Sequence, residues 1–403
     1  MSAKHLLFIA DGRSPTALRW ISASKKIGFR VTLISTYPVT EDNEAEQTFI
    51  LPVAFASVGR DKTRTGSTTK SQQTSFTGQL IKRFRPFALR LRYQLAPGTL
   101  PKYGKILQRI ISEIRPDLVH ALRIPYEGML ASYTPHQIPL LVSVWGNDFT
   151  LHAQAGKKML ELTRQVMLRA DGLLADTERD VQLAHQFGFS REKNTLVVPG
   201  GGGINFMEIE NAQKSNLFRV DNPYDQPVIV NPRGIRSYAQ TDIFFQAVPI
   251  VLQTYPQAQI FCADMQGKIE AQTWVNQLHL EKSVQLLPSI TQMELWSLFS
   301  QSHISVSLTT HDGTPNTLLE AMTCGCFPIA GDIESLREWI TPGWNGFLVE
   351  TGKPATLAAA IINAMQNPQL RTNAAERNAI LIRMRADKTV VQQMTQDFYK
   401  SFL

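Results

Sequence analysis

The sequence predicts an α/β fold of two Rossmann-like, doubly wound domains facing a cleft. Three observations carry that prediction. The chain has 403 residues, more than one ordinary core organises, so two domains are expected. Short apolar runs alternate with helix-forming segments, the pattern of a parallel sheet with crossover helices. The alternation breaks at 200–226, in the glycine quartet Gly200 to Gly203 and a polar stretch ending 221-DNPYDQP-227, and then restarts.

The elements follow in order. The run 6-LLFIA-10 reads as a buried strand, Asp11-Gly12-Arg13-Ser14-Pro15 as a turn, 17-ALRWISASKKIG-28 as a helix and 30-RVTLIS-35 as a second strand. Further strands are expected at 117-DLVHAL-122, 139-PLLVSVWG-146, 172-GLLAD-176 and 195-TLVVPG-200. After the break come 228-VIVN-231, a helix near 241–253, 258-AQIFCA-263, 284-VQLL-287, 303-HISVSL-308 and 327-FPIAG-331, and 355–403 reads as helical throughout. The expected division is a first domain over 1–203, a linker over 204–226 and a second domain over 227–385. The final helix at 386–403 can pack back on the first domain. Residues 59–79 carry almost no apolar side chains and read as a mobile loop.

Composition excludes several classes. With 43% apolar and 19% charged residues the chain is a soluble globular type and not a disordered one. No apolar run reaches the ~18 residues of a membrane span. The start, MSAKHLLFIADGR, meets Asp11 and Gly12 too soon for a secretory leader. Cys262, Cys324 and Cys326 are odd in number, which gives no disulfide framework and suggests a reducing compartment. A cytoplasmic protein is therefore expected.

The net charge of +7 is concentrated. Between Arg60 and Arg115 there are 13 Lys/Arg and two Asp/Glu, leaving the remainder at −4. Within it, 80-LIKRFRPFALRLRYQL-95 sets Leu80, Phe84, Phe87, Leu91 and Leu95 near one helical face, with the basic residues largely elsewhere. Such a helix can lie on an anionic membrane surface. It can equally bury its apolar face in the first domain and solvate its charges. No aromatic RNA-binding signature or nucleic-acid-binding fold accompanies the charge, so nucleic acid is not an expected partner.

The most informative stretch is 311-HDGTPNTLLEAMTCGCFPIAGD-332. Thr314 followed by Pro315 has the form of an N-cap with proline at the first helical position. The helix then runs from Asn316 to about Cys324, with Gly325 as its stop. The N–H groups of Asn316, Thr317 and Leu318, at the positive end of the helix dipole, suit a phosphate. Asp312 precedes this tip and Glu320 lies about a turn and a half along. Carboxylates accept hydrogen bonds from paired hydroxyls. A ligand combining sugar, diphosphate and ribose could therefore use all three features. The same spacing also describes a plain loop–helix junction with a capping acid and an exposed Glu.

The segment 312-DGTPNTLLEAMTCGCFPIAGDIESLREWITPGWNGFLVE-350 resembles the signature of retaining nucleotide-sugar glycosyltransferases of family 4, which have the GT-B fold. That signature is an acid, seven residues, Glu, then Ala-Met, a Gly, an apolar strand and an Asn-Gly-Phe-Leu-Val close. Asp312 and Glu320 match the acids, and Asn345 to Val349 match the close. Asp312 is one methylene shorter than the commoner Glu. Weaker resemblances lie at Pro116 to His120, and at Pro199 with Gly203-Ile204-Asn205. Another lies at Arg233-Gly234, where the family sets an Arg and then a Lys on the donor diphosphate. That Lys is not cleanly present, and Arg236 is the substitute; an arginine pair suits phosphate oxygens through forked donors.

The resemblance implies a hexosyltransferase using a nucleotide diphosphate-sugar, with UDP-glucose the default donor. The acceptor would be a glycan or lipid-linked molecule in exopolysaccharide or cell-surface polysaccharide synthesis. Asp312, Glu320 and His120 are the catalytic candidates. Donor contacts are expected from Arg233, Arg236, Gly313, Thr314, Pro315, Asn316, Thr317 and Leu318. Gly12 joins them, because it lets backbone approach a ligand, as do Ser289 and Ile290, whose main chain would meet the base. Arg123, Asn147 and Asp148 are expected on the acceptor side. Where the family often has His-Gly-x-Asp, this chain has Trp145-Gly146-Asn147-Asp148, so no catalytic His is transferred there. No enzymic nucleophile stands out. In this family the leaving diphosphate is thought to accept the proton, with the protein positioning the reactants and stabilising charge. Neither an Asp-x-Asp pair nor metal-ligand spacing is present, so no metal and no cofactor are expected.

Two rival readings remain. One is a catalytically silent, transferase-like binding subunit. The other is a nucleotide-sugar epimerase or dehydrogenase. The latter would need Gly-x-Gly-x-x-Gly after the first strand, where 11-DGRSPT-16 stands, and the quartet at 200–203 shows no clear helix after it.

Overall fold

The computed structural model describes residues 3–39, 43–53, 93–215, 217–222 and 226–403. The 59–79 stretch and most of 80–95 lie outside them. The chain forms two compact units. Unit 1 comprises Met1–Ala175, Asp180–Leu196 and Thr395–Leu403; unit 2 comprises Asp176–Arg179 and Val197–Met394.

Unit 1 opens with β1 (His5–Ala10), α1 (Pro15–Lys26) and β2 (Arg30–Ser35), the predicted β-α-β unit. A short strand the sequence reading passed over, β3 (Gln47–Ile50), pairs beside β2. It is half-exposed and carries only Phe49 and Ile50 as large apolar residues, so its run lacks the continuous hydrophobicity of a central strand. Next come α2 (Leu100–Ile114), β4 (Leu118–Leu122), β5 (Leu140–Val144), α3 (Lys157–Arg169), β6 (Gly172–Ala175), α4 (Glu178–Gln186) and β7 (Thr195–Val197). The sheet order is β3-β2-β1-β4-β5-β6-β7. β1, β4, β5 and β6 are buried along their whole length, as strands covered on both faces must be.

Unit 2 begins with α5 (Phe206–Ser215). The glycine quartet is thus followed by a helix three residues on, contrary to the sequence expectation; Phe206, Ile209 and Ala212 bury one face of it. Then come β8 (Val228–Asn231), α6 (Thr241–Thr254), β9 (Gln259–Cys262), α7 (Ile269–Gln277), β10 (Val284–Leu286), α8 (Gln292–Phe299), β11 (Ile304–Ser307), α9 (Asn316–Thr323), β12 (Phe327–Gly331) and β13 (Phe347–Val349). The order is β10-β9-β8-β11-β12-β13. Alternate residues feed two apolar layers: Ile229, Ile260, Ile304 and Ile329 pack on one face, Val228, Val230, Phe261 and Ala330 on the other. Three helices close the chain, α10 (Pro354–Gln366), α11 (Pro368–Ala386) and α12 (Lys388–Lys400).

Every strand pairing with a defined register is parallel. In each sheet the order reverses about one strand pair, β1/β4 and β8/β11. Open α/β sheets bind ligands outside the carboxyl ends of the strands at such a switch point. None of the described helices is long and apolar enough to cross a membrane. The three cysteines are free and buried.

Candidate functional site

In unit 2 a cavity of about 390 Å³ lies at the carboxyl ends of β8 to β11. Pro232, Arg233 and Arg236 follow β8, Ala263 and Asp264 follow β9, Ser289 and Ile290 follow β10, and Pro315, Asn316 and Thr317 open α9. Seven of the sequence-predicted donor contacts therefore meet around one cavity. Asp264 was missed, although the loop carrying it was noted. It adopts φ +55° beside Gly234, whose own φ is +64°. That local crossing of two tight turns has no apolar or spacing signature.

The start of α9 differs in detail from the sequence reading. Pro315 is the N-cap, in extended conformation, and the helix begins at Asn316. Thr314 does not cap it. Its hydroxyl donates to the Asp176 carbonyl at 2.7 Å and accepts from the Trp339 indole N–H at 2.9 Å, and the residue is buried. The Leu318 N–H donates to the Pro315 carbonyl at 3.0 Å, so Leu318 is buried and its amide is spent. That leaves the amides of Asn316 and Thr317 without a partner among the described residues. They are the open donors at the positive end of the helix.

Both acids of the motif are held by the protein. Glu320 is 4% exposed, which corrects the alternative of an exposed surface Glu. It accepts from the Gln292 amide at 2.6 Å. Gln292 opens α8, whose own N-terminus is closed by a capping box between Thr291 and Glu294. Asp312 forms an ion pair with Arg233, and each side chain is about one-sixth exposed. Its second oxygen accepts from the Gly313 amide at 3.1 Å, while its carbonyl accepts from the Ser335 hydroxyl at 2.8 Å. Gly313 is buried beneath this turn. Arg236 lies in the same cavity and its Nε donates to the Arg233 carbonyl at 3.3 Å.

A glycine and an asparagine of the sequence motifs acquire physical reasons. A Cβ on Gly201 would sit 2.2 Å from the Asn316 side chain, so the quartet presses bare backbone against the helix tip. Asn345, in the Asn-Gly-Phe-Leu-Val close, is buried. It accepts from the Thr341 amide at 2.7 Å and donates to the Trp339 carbonyl and the Asn378 side chain, each at 2.9 Å. Asn378 in turn donates to the Asn345 carbonyl at 3.0 Å. This closed set of bonds fixes the loop carrying Trp339, which in turn fixes Thr314.

Unit 1 has its own cavity, of about 240 Å³, at the switch point of its sheet. Asp11, Tyr37, Tyr93, Arg123, Tyr126, Glu127 and Trp145 are among its walls. Arg123 pairs with the fully buried Asp148 at 3.0 Å. Asp148 also accepts from the amides of Ile124 at 2.9 Å and Trp145 at 3.2 Å. Asp148 thus orients Arg123 instead of meeting a ligand, and Asn147 lies outside the cavity wall. Glu127, 3% exposed, receives the Thr36 hydroxyl on one oxygen at 2.6 Å, while its second oxygen has no hydrogen-bond partner among the described residues. Burial pushes its pKa up to about 7, against the pull of the Arg123 charge and the Thr36 bond.

Two expectations for unit 1 are corrected. His120 is fully buried and belongs to the core. One ring nitrogen bonds the Tyr399 hydroxyl at 2.8 Å and the other the Ser143 hydroxyl at 2.9 Å, with Phe8 and Trp20 against the ring. Desolvation lowers its pKa to about 3, so it stays neutral. It cannot act on a substrate from there. Gly12 is buried too. A Cβ there would meet Val39 at 2.8 Å and the Ser35 hydroxyl at 2.9 Å, and that hydroxyl accepts the Gly12 amide. Its smallness serves packing of the β1–α1 turn.

The comparisons agree with this architecture. The model of glycosyl transferases group 1 matches residues 213–380, and that of the glycosyl transferase 4-like domain matches 53–201. A D-inositol 3-phosphate glycosyltransferase of Geodermatophilus obscurus is 25% identical over 226 residues, 53% of this chain. The match spans only 50% of that relative's length. A GDP-mannose:cellobiosyl-diphosphopolyprenol alpha-mannosyltransferase of Xanthomonas campestris is 22% identical, covering 67% of each chain. Among solved structures, Anabaena HepE in complex with UDP aligns over 99% of this chain and 100% of its own, with a TM-score of 0.70 at 16% identity. The same protein has been solved with UDP-glucose. With two parallel Rossmann-like sheets and both family models in sequence, the chain belongs to the glycosyltransferases of the GT-B fold.

Proposed function

We propose that the protein transfers a hexose from a nucleotide diphosphate-sugar, UDP-glucose being the first donor to test, to a glycan or lipid-linked acceptor with retention of configuration. The observation that supports it most is the convergence of Arg233, Arg236 and the open amides of Asn316 and Thr317 on one cavity. In this reading those groups meet the diphosphate, the Ser289–Ile290 main chain meets the base, Glu320 accepts ribose hydroxyls and Asp312 accepts hydroxyls of the donor sugar. HepE's complexes with UDP and UDP-glucose favour uracil. The Xanthomonas relative's GDP-mannose keeps guanine in the test.

The chemistry needs no enzymic nucleophile in this reading. The acceptor hydroxyl forms its bond to the anomeric carbon on the face that the diphosphate leaves. Its proton passes to the departing phosphate oxygen. The arginines and helix amides stabilise the charge that grows there. No metal and no cofactor form part of the proposal. The unit 1 cavity offers Glu127 and Arg123, ringed by tyrosines and Trp145, for the acceptor. Assembly of cell-surface or extracellular polysaccharide, action in the cytoplasm, and membrane contact through 80–95 belong to the same proposal.

A thermal-shift panel of UDP-, GDP- and ADP-sugars tests it. A ligand at 100 times its Kd stabilises the fold by about 2.7 kcal/mol. A shift with a UDP-sugar that Glu320→Gln diminishes is expected; no shift with any nucleotide sugar would overturn the proposal. Hydrolysis or transfer of the bound donor separates an enzyme from a silent binding subunit.

A further inference from the structure

We propose that the Asp312–Arg233 ion pair makes the unit 2 cavity discriminate an intact nucleotide-sugar from the bare nucleoside diphosphate. The inference rests on the donor reading above and adds a specificity-determining role to it.

Arg233 lies in the cavity, yet its guanidinium is already engaged by the Asp312 carboxylate. Both side chains are largely withdrawn from water, so the attraction is only partly screened. A diphosphate that draws on Arg233 competes with Asp312 for the same donors. It also sets its own negative charge beside the carboxylate it displaces. The other Asp312 oxygen has the Gly313 amide at 3.1 Å as partner, which is a neutral donor and does not replace a cation.

The two ligands differ in what they return to Asp312. A bare diphosphate offers only acceptor oxygens, so the carboxylate is left beside like charge and short of donors. An intact donor brings sugar hydroxyls, which donate to a carboxylate. The loss of Arg233 is then offset by new hydrogen bonds. The pair therefore penalises the bare diphosphate more than the donor. After transfer the sugar is gone, Asp312 reclaims Arg233, and the product is expelled. The shorter reach of Asp312 compared with a Glu fits this role, because its carboxylate stays at the guanidinium.

The test is calorimetric titration of UDP and UDP-glucose into the full chain and into Asp312→Asn. The variant keeps the shape and removes the charge. Its melting temperature and that of Asp312→Ser, which removes the carboxylate by a second route, establish that both are folded. UDP is expected to bind the Asn variant about tenfold more tightly than the wild type. UDP-glucose should bind no more tightly, so preference for the intact donor falls by about that factor. If both variants bind UDP equally or more weakly while the wild type binds both ligands, the ion-pair inference is overturned and the donor reading stands. If the wild type binds no nucleoside diphosphate, whether UDP, GDP or ADP, the donor reading itself fails and takes this inference with it.

Discussion

Replacing Glu127 with Gln should stabilise the protein at alkaline pH and leave it unchanged at acid pH. The reason lies in the buried carboxyl of the unit 1 cavity. Its folded pKa is raised to about 7, with burial the largest cause. An unfolded Glu titrates near 4.3. The sign follows from proton binding. Below about pH 4.3 the carboxyl is protonated in both states and contributes nothing to pH dependence. Between that value and 7 the unfolded chain releases its proton while the folded chain keeps it, so stability falls as pH rises. Above 7 both are ionised and the penalty is constant. At about 1.36 kcal/mol per pKa unit, the rise from about 4.3 to about 7 makes the full penalty ~4 kcal/mol. Gln approximates the protonated form: it can accept the Thr36 hydroxyl through its carbonyl and pays no ionisation cost.

Thermal melts of wild type and Glu127→Gln at pH 4.5 and pH 9 measure this. For a unit of this size ~1 kcal/mol moves Tm by about 2–4 °C. The variant should therefore melt roughly 8–16 °C higher at pH 9, in the transition that unit 1 undergoes, with little difference at pH 4.5. The subtraction removes contributions from other titrating groups such as His120. A wild-type-minus-variant difference that is flat between pH 4.5 and 9 would refute the argument, since no other change separates the two chains.

Further expectations can be checked alongside. Gly201→Ala should push the Asn316 side chain away from its place, because the new methyl overlaps it. Donor affinity should drop severalfold while Tm barely changes, since the displaced atoms end a flexible side chain. Asn345→Ala leaves the Thr341 amide, the Trp339 carbonyl and Asn378 short of partners. It should cost about 2–4 kcal/mol in denaturant unfolding and loosen Thr314 through Trp339. Tyr399→Phe removes the hydroxyl from one nitrogen of buried His120 and should cost about 1–3 kcal/mol. His120 itself is held neutral at a pKa of about 3 against about 6.5 unfolded. Its contribution is therefore present above 6.5 and lost as pH falls toward 3. His120→Gln should flatten acid destabilisation over that window in a pH series of melts.

The fold was legible wherever a strand is buried on both faces. Strands such as 228–231 and 327–331 were read to the residue because their apolar runs are bounded by Pro, Asn, Gly or Cys. β3 was missed because one edge and much of its surface meet solvent, which removes the hydrophobic run that marks its neighbours. The helix at 206–215 was missed behind the glycines. Its apolar face is only Phe206, Ile209 and Ala212, too sparse a stripe to outweigh the quartet before it. At the tip of α9 the pair Thr314-Pro315 mimicked a cap. The true partners of that threonine, Asp176 and Trp339, are 138 and 25 residues away, and no local rule sees them.

The candidate site divides along the same line. Arg233, Arg236, Ser289 and Ile290 were placed through the family resemblance and the α9 tip through its turn and spacing; the structure gathers them around one cavity because strand-end loops of a parallel sheet converge. His120 was misassigned for the complementary reason. Its place near a strand end suggested a site. Whether a ring there faces a cavity or the core depends on Trp20, Ser143 and Tyr399, contributed by three separate elements. The acids show the deepest limit. Spacing left Asp312 and Glu320 open to a plain loop–helix junction and the family resemblance selected them, but their chemistry depends on what they hold before any ligand arrives. Glu320 accepts from the neutral Gln292 amide, whereas Asp312 faces the Arg233 cation. In the reading proposed above, a ribose hydroxyl meets the first acid and a diphosphate competes with the second for its cation. Two carboxylates eight residues apart on one motif then differ in their response to a ligand through their neighbours Gln292 and Arg233, a difference carried by neither acid alone.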